Sequence, residues 1–182
     1  MRDLSLHLLD ILQNAIKAQA TSIWVLIEEF PEADRLTLTV KDNGIGMSKA
    51  ILQQVQDPFF TTRTERKVGL GLSLLKANAL QTGGGFAIAS QPGKGTEVTA
   101  TFGLSHIDRP PLGNLGLTFT TALGSRESLS LTLTYSKGRA HFSLSTGDLL
   151  EILEDREAFH SKKVLDWIEA YIQDAVKAIQ TP

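Results

Sequence analysis

Three side chains that could handle a phosphate group recur at helical spacing near the N-terminus. Asp10, Asn14 and Lys17 occupy positions i, i+4 and i+7 of a segment whose remaining positions are largely apolar. The Asn14 amide oxygen is a neutral hard ligand, suited to a Mg²⁺ ion that also holds phosphate oxygens. Lys17 can reach the same phosphates as a point charge, and Asp10 can accept a proton from an attacking water or hydroxyl. In isolation the pattern also fits an ordinary exposed helix face.

A second carboxylate, Asp42, ends an alternating apolar run and is followed by Asn-Gly-Ile-Gly-Met. A carboxylate in this place can accept a hydrogen bond from an exocyclic amine, such as that of adenine. Gly44 and Gly46 would let the backbone pass close to a flat base. The alternative is a tight Asn-Gly turn with no ligand.

The stretch from residue 57 to 71 combines aromatic, basic and glycine positions. Phe59 and Phe60 could clamp a loop onto the body of the protein, and Arg63 could reach a γ-phosphate. Gly69 and Gly71 could open a helix N-terminus onto phosphates while permitting hinge motion. A small satellite core under a loop remains the alternative for the aromatic pair, and an ordinary loop for the glycines.

These motifs and the turn Gly93-Lys94-Gly95-Thr96 follow one another in a fixed order. Together they supply an amide for a metal, a carboxylate for adenine, cations for phosphates and glycines for a mobile lid. The set therefore predicts an ATP–Mg²⁺ pocket, although each motif alone is weak.

The elements that must position these motifs can be predicted from periodicity. An apolar arc predicts a helix over 3–19, and alternation predicts a hairpin of strands 22–28 and 36–41. A short helix over 49–56, a loop over 57–68, a helix from about 70 to Leu80 and a second hairpin around 86–88 and 98–102 follow. The sum predicts an α+β fold, a two-layer sandwich with helices on one face of a mostly antiparallel mixed sheet.

Beyond residue 104 the sequence predicts a small C-terminal α+β extension, so that the chain divides into 1–104 and 105–182. Pro110-Pro111 interrupts regular structure. Strands are expected at about 115–122, 128–136 and 139–145, and helices at about 147–155 and 161–180. This region could extend the sheet, cover it or present a partner surface. The apolar stripe within 164–179 could equally be the seam of a homodimer.

Composition narrows the function classes. The net charge of −2 gives no reason to expect nucleic acid or an anionic membrane as partner. The absence of cysteine excludes disulfides, thiol catalysis and Cys-ligated metal. No apolar run approaches the roughly 18 residues of a membrane span, and no signal-peptide pattern is present. A soluble cytoplasmic protein is the default expectation.

The motifs together resemble the ATP-binding domain shared by sensor histidine kinases, gyrase-type topoisomerases, heat-shock chaperones and mismatch-repair ATPases, the GHKL or histidine-kinase-like ATPase superfamily. The similar stretches are 9–17 (N box), 42–47 (G1 box), 57–63 (F box), 68–72 (G2 box), and 83–84, 90–96 and Phe102 (closing hairpin). The F box is typical of the kinase branch.

The resemblance implies a Bergerat-type site over residues 1–103. Asn14 would hold Mg²⁺, Asp42 would bind the adenine amine with Thr96 near it, and Lys17 and Arg63 would address phosphates. Residues 57–71 would form the ATP lid. The other nucleotide contacts that it implies are Gly44, Gly46, Met47, Phe59, Thr62, Gly69, Leu70, Gly71 and Leu72.

Two departures from the family pattern shape the functional expectation. The helix carrying Asn14 begins within a few residues of Met1, whereas sensor kinases carry a phosphoacceptor histidine upstream. We therefore expect a phosphoacceptor on another protein. Asp10 stands where histidine kinases often have an amide and anti-sigma serine kinases have glutamate. Because aspartate is one methylene shorter, its role as general base stays open. Residues 18–23 also resemble the mismatch-repair branch.

The sequence favours a stand-alone regulatory protein kinase that acts on a separate partner protein. A nucleotide-gated binding module and a slow ATPase cycling in a dimer are the alternatives, and all three use the same pocket. His7 falls on the polar arc of the first helix and could orient Asp10. For His7, His106, His141 and His160, however, a structural or solvent role is the favoured interpretation.

Overall fold

The computed structural model describes residues 3–55, 70–126 and 128–181, with Leu70 described as backbone only. Its helices are α1 Leu4–Lys17, α2 Lys49–Gln54, α3 Leu70–Gln81, α4 Leu115–Leu123, α5 Thr146–Leu153 and α6 Lys162–Gln180. Its strands are β1 Ser22–Phe30, β2 Arg35–Asp42, β3 Gly85–Gln91, β4 Gly95–Gly103, β5 Ser130–Lys137 and β6 Ala140–Ser145. Short 3-10 turns occur at Pro31–Ala33 and Arg156–His160.

The six strands form one mixed sheet in the order β3-β4-β2-β1-β5-β6. Every neighbouring pair is antiparallel except β1 and β5, which run parallel, with Val25 opposite Leu133. A parallel pair requires a long crossover connection. Here that connection contains β2, β3 and β4 together with helices α2, α3 and α4, and it brings β5 back beside β1.

The helices cover one face of the sheet. Alternate residues of the central strands, such as Val25, Leu38, Ala100 and Leu133, are buried, as expected for one covered face. On the opposite face Trp24 remains 45% exposed. The predicted α+β two-layer architecture is thereby confirmed. Most predicted helices and strands begin and end within a few residues of the observed bounds, and the predicted loop over 57–68 lies outside the described residues.

The strand predicted at 115–122 is wrong, because this segment forms helix α4. Asn114 caps the helix by accepting a hydrogen bond from Leu117 N at 2.8 Å. Leu115, Phe119 and Ala122 recur at helical spacing and are buried. Two of the threonines that suggested a strand turn their hydroxyls back to the helix: Thr120 Oγ1 donates to Gly116 O at 3.1 Å and Thr121 Oγ1 to Leu117 O at 2.7 Å.

Residues beyond 104 contribute to the same sheet and the same apolar core. β5 and β6 continue the sheet past β1, and buried residues of α4, β5 and α6 belong to one cluster with those of α1 and β1. The segment before α4 also holds the start of α1, since Leu4 N and Ser5 N donate to the carbonyls of Pro111 and Leu112, both at 2.9 Å. That residues 105–182 form an extension with a role of their own stays a prediction.

The start of α1 has a defined cap. Asp3 precedes the helix and its carboxylate accepts a hydrogen bond from Leu6 N at 2.9 Å. Thr118 Oγ1 of α4 donates to the Ser5 carbonyl at 3.1 Å. The helix that carries Asp10 and Asn14 is therefore fixed at its beginning by residues on both sides of it in sequence.

Among the described residues, none of the helices combines the length and apolarity that crossing a bilayer would require.

Candidate functional site

Asp10 and Asn14 face each other across one turn of α1. The Asn14 amide nitrogen donates to Asp10 Oδ2 at 3.3 Å, and both side chains are partly buried. This contact fixes which end of the amide points at the carboxylate, so the amide oxygen is directed elsewhere. Lys17 lies at the exposed end of the same helix. α1 therefore presents a carboxylate, an amide oxygen and an ammonium along one line.

The first turn of α3 packs directly on Asp10. A β-carbon on Gly71 would overlap Asp10 Oδ2, and Gly71 itself is buried. Only glycine allows the backbone to approach the carboxylate so closely. The start of α3 thus contacts Asp10, the predicted general base. The segment immediately before α3 is the predicted lid.

His7 differs from its predicted place on the polar arc, because the side chain is almost fully buried between α1 and α3. Asn78 Nδ2 of α3 lies 2.9 Å from His7 Nε2. Since the amide nitrogen donates, Nε2 accepts and the neutral ring carries its proton on Nδ1. Among the described residues Nδ1 has no hydrogen-bond partner. Burial lowers the pKa of His7, and the carboxylates of Asp10 and Asp3 counter part of this shift.

Asp42 lies at the end of β2 in a second group of predicted residues. It is buried, and its Oδ1 accepts a hydrogen bond from Gly44 N at 2.8 Å. Burial raises the pKa of this carboxyl, although the backbones of Gly44 and Thr96 counter part of the shift. A carboxylate held in such a place, with one oxygen bonded to its own loop, is a strong acceptor for a ligand that supplies a donor.

The glycines of this loop are required by contacts within the protein. A β-carbon on Gly44 would stand 2.6 Å from the Ala18 carbonyl at the end of α1. Gly46 and Gly95 have positive φ angles of 66° and 92°, and β-carbons there would overlap the carbonyls of Gln91 and Asp42 respectively. The glycines therefore let the loop pack between α1 and the β3–β4 turn. Ile45 N, which donates to Ala18 O at 2.8 Å, ties the two groups of site residues together.

Two residues to which the sequence motifs assign no role, Asn43 of the loop and Ser90 of β3, hold this second group in place. The Asn43 side chain accepts from Thr21 N and Ser22 N, both at 2.9 Å, and so anchors the loop to the start of β1. Ser90 Oγ accepts from Met47 N at 2.8 Å and lies 2.9 Å from Thr96 Oγ1. The strand register, which no short motif reveals, is the signal that would have identified Ser90.

The structure thus brings the predicted residues into two adjoining groups. The first contains Asp10, Asn14 and Gly71, with Lys17 one turn beyond. The second contains Asp42, Gly44, Gly46, Met47 and Thr96. Leu72 is partly buried and packs against the core rather than standing in either group. Phe59, Thr62, Arg63 and Gly69 lie outside the described residues, as does the side chain of Leu70.

A family model described as "Histidine kinase-, DNA gyrase B-, and HSP90-like ATPase" matches residues 2–106, which is more than half of the chain. The chain is 37% identical over 103 residues to a putative sensor protein of Shewanella frigidimarina, covering 56% of this chain and 16% of that protein. It is 40% identical over 104 residues to the sensor protein kinase FleS of Pseudomonas aeruginosa, covering 57% and 25%.

Among solved structures, the N-terminal domain of a DNA repair protein superimposes with a TM-score of 0.55 at 14% identity. The match covers 80% of this chain and 53% of that one, so the shared fold extends past the stretch that the family model recognises. The chain spans 16% and 25% of the two sensor proteins named above. By its sequence and its sheet of six strands with helices on one face, the chain belongs to the histidine kinase-, DNA gyrase B- and HSP90-like ATPase family.

Proposed function

We propose that this chain binds ATP with Mg²⁺ and transfers the γ-phosphoryl group to a separate protein, as a regulatory kinase. The observation that carries the proposal is the junction of the two groups of residues at the end of α1. One group offers the buried carboxylate of Asp42 to a nucleobase, and the other offers Asp10 and Asn14 to phosphates and a metal ion. ATP, which has both parts in one molecule, suits this pair of sites.

The metal expectation fits the donors that are present. Within residues 3–55, 70–126 and 128–181 there is no cluster of three His, Asp or Glu side chains that could hold an ion alone. Mg²⁺ commonly needs only one or two protein ligands, because substrate phosphates and water complete its shell. Asn14, whose amide nitrogen is engaged by Asp10 and whose oxygen is the hard donor, is the residue that would hold it.

The adenine expectation fits Asp42. The carboxylate is covered by its own loop, and Gly44 N occupies one side of Oδ1. An ionised carboxylate buried in this way is costly unless donors surround it. The exocyclic amine of adenine supplies such a donor. Thr96 lies opposite Asp42 in the sheet, and Met47 N is bonded to Ser90, the neighbour of Thr96. Thr96 and Met47 would contact the same adenine base.

Phosphoryl transfer would need little covalent chemistry from the protein. When bound, ATP–Mg²⁺ supplies the phosphoryl group and neutralises its developing charge. Asp10 would accept the proton of the attacking hydroxyl, and Lys17 would stabilise charge on the phosphates. Gly71, by bringing the start of α3 onto Asp10, would tie the position of the lid to the position of this base.

The sensor kinases that the chain resembles favour phosphotransfer over the alternatives. The packing of Gly71 on Asp10 also suits a nucleotide-gated binding module or a slow ATPase. In either of these, a movement of the predicted lid would shift Asp10 of α1 through this contact. In that case the closed conformation, and not a phosphorylated product, would control the partner.

Isothermal titration calorimetry with ATP, in the presence and absence of Mg²⁺, tests the pocket. Asp42→Ala should remove detectable ATP binding, because the exocyclic amine of adenine would then have no carboxylate to accept its hydrogen bond. Asn14→Ala should remove only the increment that Mg²⁺ adds. Asp166→Ala, an exposed carboxylate on α6, is the matched control and should bind as the wild type does. Unchanged binding by Asp42→Ala would contradict the proposed pocket.

A further inference from the structure

Three polar side chains stand in one row across the sheet. Ser90 of β3 is opposite Thr96 of β4, and Thr96 is opposite Asp42 of β2. All three lie on the face that the helices cover, in step with the buried residues of β2 and β4 and with the partly buried Phe86 and Ile88 of β3. Asp42 and Thr96 are already expected to contact a base, whereas Ser90 stands behind Thr96 as seen from Asp42.

The Ser90 hydroxyl can be accounted for atom by atom. It has one proton to donate and two lone pairs with which to accept. One lone pair is used by Met47 N, at 2.8 Å. Its proton is directed at the Gly95 carbonyl, at 2.9 Å. The remaining lone pair faces Thr96 Oγ1, which also lies at 2.9 Å.

The direction of the bond between the two hydroxyls follows from this count. If Thr96 donates to Ser90, all three hydrogen bonds of Ser90 form at once. If Ser90 donates to Thr96, the bond to Gly95 O is lost and one lone pair of Ser90 stays unused. The first arrangement makes one more hydrogen bond in a partly buried place, and it is therefore favoured.

We propose that Ser90 is a specificity-determining residue of the adenine subsite, because it takes the proton of Thr96 and so presents Thr96 Oγ1 as an acceptor beside the Asp42 carboxylate. This inference rests on the proposed function, since it concerns the base of the same nucleotide. Ser90 itself does not touch the base. It acts through Thr96 and through the amide of Met47.

Two neighbouring acceptors distinguish purines by the group at position 6. The exocyclic amine of adenine has two N–H donors and can satisfy both Asp42 and Thr96. The 6-oxo group of hypoxanthine is an acceptor and would face two acceptors. Sites whose buried polar groups are left unpaired by the wrong substrate discriminate strongly. Wild-type protein should therefore bind ATP much more tightly than ITP.

The test compares ATP and ITP affinities of wild type and Ser90→Ala by calorimetry with Mg²⁺. Without Ser90 the Thr96 hydroxyl can turn and donate to a 6-oxo group. We expect the ratio of ATP to ITP affinity to fall by about tenfold, the effect of roughly one hydrogen bond. Loosening of the loop at Met47 would lower the affinity for both nucleotides equally, and this effect would cancel in the ratio of the two affinities. A ratio equal to that of the wild type would overturn the proposal.

Companion variants separate the hydroxyl from simple packing. Ser90→Thr keeps the hydroxyl and should restore the wild-type ratio. Thr96→Val should lower the ratio even with Ser90 present, and in that background Ser90→Ala should change the ratio no further. If Ser90→Ala fails to fold, Thr96→Val alone decides, because an unaltered ratio there also overturns the proposal.

Failure of the inference is distinguishable from failure of the proposed function. If the chain is not an ATP-binding protein, the wild type itself binds neither nucleotide. If only the role of Ser90 is wrong, the wild type binds ATP and the two ratios agree.

Discussion

A β-carbon on Gly71 would overlap the Oδ2 atom of Asp10, so the first turn of α3 rests on the carboxylate that α1 presents. Asp10 also accepts from Asn14 Nδ2 at 3.3 Å. The position of Asp10 is thus set from two sides, by its own helix and by the helix that follows the predicted lid.

Gly71→Ala should reduce phosphoryl transfer or ATP hydrolysis by about 10²-fold, since a displacement of roughly 1 Å at a reacting group has that effect. ATP affinity should fall much less, because the methyl group strikes Asp10 and not the Asp42 loop. The measurement is turnover and affinity on the same preparation. Gly147→Ala is the matched control, being the second residue of α5 as Gly71 is of α3, with only an ordinary contact at 3.4 Å. Normal turnover in Gly71→Ala would show that this contact does not position the base.

Asp42→Asn should make the protein more stable at neutral pH while abolishing ATP binding. Burial raises the pKa of Asp42, so the folded state binds its proton more tightly than the unfolded state. The associated stability is therefore fully present below the ordinary aspartate pKa and is lost as the pH rises through the raised value. Asparagine keeps an oxygen for Gly44 N but does not ionise.

Urea unfolding of both proteins across the acid range measures this effect. The difference between Asp42→Asn and wild type should vanish at the acid end and grow toward neutral pH. The same difference at every pH would indicate that burial of the charge is not its origin.

His7→Gln should flatten the acid limb of the stability curve. The pKa of His7 is lowered by burial, despite the opposing charges of Asp10 and Asp3, so the unfolded state binds more protons than the folded state. Stability should then fall as the pH drops through the ordinary histidine pKa, and continue to fall until the lowered value is passed. Glutamine preserves an acceptor for Asn78 without titrating. His141→Gln, at an exposed position of β6, is the control that should leave the curve unchanged; equal curves for all three proteins would contradict this account.

The two tryptophans test whether residues beyond 104 fold with the rest. Trp24 lies in β1 and Trp167 in α6, each 45% exposed. Trp24→Phe and Trp167→Phe leave one reporter in each part. Because β5 pairs with β1 over the whole strand, we expect the two fluorescence transitions in urea to coincide. Two separate midpoints would instead support an independently folding C-terminal unit.

Much of the fold could be predicted from local patterns, and the exceptions have physical reasons. The hairpin of β1 and β2 follows from alternation between neighbouring segments, and α1 from its apolar arc. Around Thr118 to Thr121, period-two alternation and helical spacing coexist, and only the Asn114 cap and burial of Phe119 favour the helix. The parallel pairing of β1 with β5 joins segments far apart in sequence, so no local pattern specifies it.

The residues of the candidate site likewise include some that the sequence predicts and others that depend on tertiary contacts. Asp10, Asn14, Asp42 and Thr96 could be selected from residue type and motif. The burial of His7 depends on how α3 crosses α1, and the role of Ser90 depends on the register of three strands. Both arise from tertiary contacts that a single sequence does not display.

The measurement that tests the central claim most directly is transfer of label from γ-labelled ATP to a partner protein, by wild type and by Asp10→Asn. The wild type should label a co-purified protein, and Asp10→Asn should lose at least about 10²-fold of that activity while still binding ATP. Asp166→Asn, on the exposed face of α6, should label normally. Equal labelling by Asp10→Asn and wild type would contradict the account of Asp10 as the base. A partner that binds only with ATP yet stays unlabelled would contradict phosphotransfer altogether.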